Sequence, residues 1–182
     1  MELKNQTTIK TVLTALLAAL ICVATMLVQI PIPATGGYAN LGDGIILICA
    51  FLLQPLCAVI AAGLGSALAD ILAGYISFVP GTLVIKAGVA LIAALVFGQL
   101  GKKGSENKSF VALVLAGVAA EAFMVLGYFF YESVLLGMGS GAAGGIVGNI
   151  GQGIVGIIIA SVVAPVLRRS DGIRKLLEGM KK

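Results

Sequence analysis

The sequence predicts an all-α membrane protein, a bundle of six transmembrane helices with both termini in the cytoplasm. Three observations carry that expectation. The first is composition: 59% of residues are hydrophobic and 11% charged, at a mean hydropathy of +1.10. A soluble domain is about a quarter charged, so this chain has too little polar surface to face water on all sides. The second is a series of apolar runs, each near the roughly 20 residues that cross a bilayer core. The third is the placement of Lys and Arg in short clusters that separate those runs.

The first run, 10–30, follows Lys10 and ends ahead of Pro31 and Pro33. It is longer than the apolar region of a typical signal peptide and reads as an uncleaved helix. The second, 41–54, is short for a full crossing and needs tilt, a thinned bilayer edge or burial among its neighbours. Gln54-Pro55 makes a tight turn into the third, 55–75. Reading 43–75 as one helix would give a rod about 50 Å long against a core of about 30 Å, so a hairpin is expected. Pro80 opens the fourth run, 81–100; the fifth is 109–131; the sixth is 142–167, with Pro165 near its end. Proline has no amide donor for an interior turn, so all five prolines are expected where helices start or stop. The whole chain, 1–182, reads as one transmembrane domain.

Six crossings put Lys4, Lys10, Lys102, Lys103, Lys108, Arg168, Arg169, Arg174, Lys175, Lys181 and Lys182 on one side. The positive-inside rule makes that side cytoplasmic and the protein a multi-pass protein of the plasma membrane. An odd number of crossings would spoil the segregation. The tail from Ser170 reads as a short amphipathic helix beside anionic headgroups.

Several functions are excluded by what is missing. The net charge of +4 is a matter of topology rather than a nucleic-acid face. Cys22, Cys49 and Cys57 lie in apolar runs without metal or disulfide spacing, and the chain has no His. No Gly-rich loop followed by Lys-Ser/Thr is present to bind ATP. No enzyme activity, metal or cofactor is therefore expected.

The twelfth basic residue, Lys86, lies within a span, as do Asp43, Asp70, Glu121 and Glu132 at various depths. Such charges cost about 2.5–3.5 kcal/mol each at mid-helix, so they mark structural pairs or a substrate site. Counting along the helices places all of them, with Asn149 and Gln152, at mid-membrane or in the outer half. That asymmetry fits a polar pocket opening outward. Asp70 and Lys86, at matched depth, are either a neutralising pair or ligand contacts. Asp43 suits the start of the second helix, where an acid complements the helix dipole. Glu121 has no basic partner at its depth and reads as a ligand contact or a protonation site. Tyr128, Tyr131 and Glu132 are either interfacial or part of the pocket. The segment 31–40, with Gly36, Gly37, Tyr38 and Asn40, is a natural lid. Ala15/Ala19, Gly141/Gly145 and Gly144/Gly148 are small pairs one turn apart that let helix backbones approach.

The runs Asn40-Leu41-Gly42-Asp43, Gly65-Ser66-Ala67-Leu68-Ala69-Asp70, Pro80-Gly81-Thr82 and Ile85-Lys86 occur here in that order. In motif order, length and layout the chain resembles the substrate-binding (S) components of energy-coupling factor vitamin transporters, the riboflavin-type group most closely. The resemblance implies a high-affinity binder of a vitamin or precursor, with its site near the outer face beneath the first loop. It also implies partners, a membrane coupling subunit and two ATP-binding subunits. On this reading Lys86, Glu121, Asn149 and Gln152 touch substrate, with Asp70, Asn40, Tyr38 and Tyr128 around them. Ala15 and Ala19 match the Ala-x-x-x-Ala motif that docks on the coupling subunit. The absence of Trp departs from thiamine-type members, and no biotin-type signature is seen. Riboflavin-like, pyridoxine-like and pantothenate-like ligands stay open. The rival expectation is a standalone proton-coupled carrier working through Glu121, although the two halves show no clear repeat.

Overall fold

A computed structural model describes residues 2–101 and 106–179, with side chains over 7–101 and 109–176. Lys4, Lys102, Lys103, Lys108, Lys181 and Lys182, which contribute to the orientation expected above, lie outside the described side chains. The described residues form seven α-helices and one small antiparallel ribbon. They run α1 (Glu2–Leu27), β1 (Gln29–Ile32), β2 (Gly37–Asn40), α2 (Gly42–Leu52), α3 (Pro55–Ala73), α4 (Val79–Leu100), α5 (Glu106–Phe130), α6 (Ala143–Arg169) and α7 (Asp171–Gly179). A π-helical turn, Tyr131–Leu135, and a 3-10 turn, Gly139–Ala142, join α5 to α6.

Five of the helices, α1, α3, α4, α5 and α6, are long and apolar enough to cross a membrane. The short apolar helix, α2, has 11 residues and is about 16 Å long, roughly half a hydrocarbon core. It is buried along most of its length against α6, α4 and α1, which is how so short an apolar helix is accommodated.

Proline does less to fix the boundaries than its chemistry suggested. Pro55 and Pro80 do sit in the first turns of α3 and α4, where an amide donor is not needed. Pro165, by contrast, lies inside α6, which continues to Arg169. Pro31 lies within β1 opposite Tyr38, on a two-stranded ribbon where its missing donor is tolerated. The segment expected as a loop is therefore an ordered ribbon, turned at Gly36 with φ +67° and closed by Gly36 N–H donating to Ile32 O at 3.0 Å.

The helix ends nearest this ribbon are built with care. α3 stops at Gly74, φ 84°, where Tyr75 N–H donates to Asp70 O at 2.8 Å and Gly74 N–H to Ile71 O at 3.2 Å. That pairing is a Schellman ending, which satisfies carbonyls that would otherwise be unbonded. It delivers Tyr75 against Tyr38, with ring centroids 4.6 Å apart, and against Phe78 at 6.3 Å.

Glycines set the helix spacing at α2–α6 and α5–α6. A Cβ on Gly156 would lie 3.0 Å from Asp43 Cβ, and one on Gly153 2.9 Å from Glu121 Cβ. The GxxxG pairs singled out in the sequence do other work. Gly144 and Gly148 abut Ala34 and Ile32 of the ribbon, while Gly145 faces Thr35 and Glu132. They seat the ribbon on the start of α6 rather than one helix on another.

Candidate substrate-binding site

The ribbon covers the bundle end where α1, α3 and α5 finish and α2, α4 and α6 begin. Beneath it lies a cavity lined by polar side chains from each long helix. α1 gives Thr25, α3 gives Ser66 and Asp70, and α4 gives Thr82 and Lys86; α5 and its π turn give Tyr128 and Glu132, and α6 gives Asn149 and Gln152. Tyr38 and Asn40 enter from the ribbon, and Phe78 supplies an aromatic wall. The free space is about 30 Å³, enough for two or three waters, so a larger guest requires the ribbon or side chains to move. Larger grooves open on the outer surface of the bundle, but almost wholly apolar side chains line them.

The inner wall is a charged cluster. Lys86, 2% exposed, donates to Asp43 Oδ1 at 2.6 Å, to Asp43 Oδ2 at 2.8 Å and to Met124 Sδ at 3.1 Å. Gln152 Nε2 donates to Asp43 Oδ2 at 2.5 Å and to Met124 Sδ at 3.3 Å. Its Oε1 accepts the Asn40 backbone N–H at 2.7 Å. Asn40 Oδ1 in turn accepts Gly42 N–H at 2.9 Å, an Asx turn that bends the chain from the ribbon into α2. The ribbon is thereby tied through Gln152 to the ion pair in the core.

The opposite wall carries a second tie. Tyr38 O–H donates to Asp70 Oδ1 at 2.6 Å. Burial, and then the Asp70 carboxylate, push the Tyr38 phenol above its ordinary value, so it remains a donor. Thr82 and Tyr128 share a hydrogen bond of 3.0 Å. Four buried oxygens from cavity-lining residues have no partner: Thr25 Oγ1, Ser66 Oγ, Asp70 Oδ2 and Glu132 Oε2. Buried polar atoms in native proteins are nearly always bonded, so these four leave the cavity with hydrogen-bonding capacity for waters or a polar guest.

The structure thus brings Lys86, Asp70, Asn149, Gln152, Asn40, Tyr38 and Tyr128 to one cavity. Glu121 is not among the lining residues. It sits two helical turns from Tyr128, about 10 Å along α5, packed against Gly153 with both oxygens unpartnered. The pairing of Lys86 differs from the Asp70 alternative weighed from the sequence. Its partner is Asp43, which keeps its place in the first turn of α2 and also neutralises the lysine. Depth along a helix is countable from sequence, but which neighbour a side chain meets around the bundle is not. Thr25, Ser66, Phe78 and Thr82 were not singled out, although Ser66 and Thr82 fall inside the quoted motifs. Glu132 reaches the cavity because the π turn redirects it, with Met138 N–H bonded to Glu132 O at 3.1 Å. Such turns recur at functional sites but leave little trace in hydropathy. Ala15 and Ala19 are both exposed on the outer face of α1.

A polar cavity capped by a ribbon, at one end of an apolar helical bundle, defines a membrane protein that binds a small solute. The chain belongs to the ECF-type riboflavin transporter S component family, whose model matches residues 5–169. It is 31% identical over 175 residues to the thiamine precursor transporter HmpT of Lactococcus lactis, covering 94% of this chain and 96% of that protein. It is 41% identical over 154 residues to an uncharacterized protein of Pyrococcus woesei, covering 84% of this chain and 97% of that one. The protein is accordingly a substrate-binding component of a vitamin transporter in the plasma membrane, multi-pass and not an enzyme.

Proposed function

We propose that the protein captures a vitamin or vitamin precursor from outside the cell in the cavity beneath the ribbon, for uptake driven by ATP-binding partners. The observation that carries this reading is the set of unpartnered buried oxygens lining a polar cavity beneath the ribbon. The chain acts as one domain over 1–182, crossing the bilayer six times when α2 is counted, with both termini cytoplasmic. The basic residues at the far end of α6, Arg168 and Arg169, support that orientation, since the cavity lies at the opposite end.

Lys86, Asp70, Asn149, Gln152, Asn40, Tyr38 and Tyr128 form the binding site, and Asp43 holds Lys86 in place. Glu121 backs the site from below. A thiamine precursor is the first candidate substrate, because the similar Lactococcus protein is a thiamine precursor transporter. Ala15 and Ala19, exposed on α1, form the docking face for a membrane coupling subunit carrying two ATP-binding subunits.

The test is uptake of a labelled vitamin panel into proteoliposomes, with and without the coupling and ATP-binding subunits. Accumulation of one compound should require all partners and ATP. Ala15→Trp and Ala19→Trp should abolish uptake yet leave binding by the purified protein intact. Uptake by the lone chain that collapses with the proton gradient would instead establish a standalone carrier.

A further inference from the structure

The bundle carries a second space at the end opposite the substrate cavity. α2 stops at Leu52 after 11 residues, while α1 and α6, which both pack on it, extend past it toward the basic end. A groove of about 240 Å³ results, floored by Ile48 and Leu52 of α2 and walled by Leu13 and Leu17 of α1 and Val163 and Leu167 of α6. An apolar cavity of about 150 Å³ already accepts a benzene ring. Among the described lining side chains only the Cys49 thiol is not a hydrocarbon. The amphipathic α7 closes one end, with Ile173 and Leu176 in the lining and Arg174 and Lys175 exposed.

Hydrocarbon alone does not choose what fills this groove, since lipid tails are as apolar as leucine. The rim does. Lys10 precedes Leu13 by one turn on the same face of α1, Arg169 closes α6, and Arg174 and Lys175 lie between Ile173 and Leu176 on α7. Arg168 is already used, donating to Phe51 O. Arg174 pairs with Asp171 at 2.9 Å, but both are more than half exposed, so water screens the pair and further guanidinium donors remain. Asp171 is the one acid among the described residues of that rim. Basic clusters where helices leave the bilayer, on long side chains that reach the interface, attract anionic headgroups. Groove and rim together match the two parts of one molecule.

We propose that the groove between α1, α2, α6 and α7 is a binding site for an anionic phospholipid. One acyl chain lies along α2 against α7, and Lys10, Arg169, Arg174 and Lys175 hold the headgroup phosphate. The site is separate from the substrate cavity and does not depend on which solute that cavity takes. It also supplies what α2 lacks, because the acyl chain continues the apolar packing past a helix about half as long as the bilayer core.

The test is native mass spectrometry of the purified full chain, titrated in detergent with phosphatidylglycerol or with phosphatidylcholine of the same acyl chains. The unaltered protein should bind one phosphatidylglycerol at least about 10-fold more tightly than phosphatidylcholine, since each basic residue near an anionic headgroup contributes about 5-fold. Arg174→Gln combined with Lys175→Gln should bring the two lipids within about threefold of each other and leave the melting temperature unchanged. Leu17→Trp, which fills the groove, should abolish the bound-lipid species for both, whereas Leu95→Trp on the exposed face of α4 should change neither. A phosphatidylglycerol with a photoreactive group at mid-chain should label α2 and α6 in the groove in preference to α4. That reading and the lipid comparison use unaltered protein, so they stand even where a variant fails to fold. Equal affinity for the two lipids, or labelling spread evenly over the outer faces, would reduce the lipid to ordinary bilayer solvent and overturn the inference. A chain that dimerises without lipid would place a second copy in the groove and overturn it equally.

Discussion

Lys86 and Asp43, held 2.6 Å apart at 2% and 1% side-chain exposure, form a buried ion pair that joins α4 to the start of α2. Burying two charges is repaid only when both are fully bonded, and here Met124 and Gln152 complete the set. Removing one partner leaves the other charge buried alone. Lys86→Met should lower stability by about 3–5 kcal/mol, as should Asp43→Leu. The double variant should lose much less than the sum. Thermal melts of the purified variants in one detergent check this, and additive losses would mean that the pair is not coupled.

Tyr38→Phe removes the donor to Asp70 Oδ1 while keeping the ring packed against Tyr75. Closure of the ribbon should weaken by about 1.5–3 kcal/mol, the range for a hydrogen bond to a charged acceptor. Ligand should then dissociate roughly 10- to 150-fold faster, because the ribbon opens more often, while the melting temperature moves little. Stopped-flow release measurements distinguish this from a general loss of stability.

Glu121 presents the opposite case, a buried carboxyl with neither oxygen bonded. Replacing such a group with an apolar side chain of similar size removes a desolvation cost of about 1–3 kcal/mol. Glu121→Leu should raise the melting temperature and leave ligand affinity within about threefold. A clear fall in both would place Glu121 in contact with the substrate.

Arg168 stabilises the other end of α2. Its Nη2 donates to Phe51 O, and its guanidinium lies 4.4 Å from the Phe97 ring, which itself packs 5.1 Å from Phe51. A helix of 11 residues ends among its neighbours, so its last carbonyls need a donor from elsewhere in the protein. Arg168→Met should cost about 1–3 kcal/mol and speed amide exchange in α2. Arg168→Lys should restore only part, since a compact ammonium offers fewer donors and less contact with the Phe97 ring than the guanidinium.

How far the sequence reaches can be judged from these residues. Apolar run lengths located the long helices, and the cost of intramembrane charge singled out Asp43, Asp70, Lys86, Glu121 and Glu132. Counting residues along a helix gives height at about 1.5 Å per residue, which grouped most of the cavity residues at one end. It gives no azimuth. Asp43, at the start of α2, and Asp70, near the end of α3, fall toward the same end of the bundle, and only the packing of α2 against α4 and α6 settles which one meets Lys86. The ribbon was hidden for a different reason: Pro31 and Pro33 argue against strand, and only its isolation as a two-stranded edge makes Pro31 tolerable. Thr25 and Ser66 read as ordinary polar residues of apolar helices until their unpartnered hydroxyls are seen at the cavity.

Native mass spectrometry of the chain purified gently from its own membrane tests most directly whether the space beneath the ribbon holds a vitamin-sized guest. One small molecule per protein should appear, with the mass of a vitamin or precursor, and should be lost when Asp70→Asn and Glu132→Gln are combined in folded protein. Protein carrying only lipid, or a guest retained unchanged by that double variant, would contradict the assignment of the site.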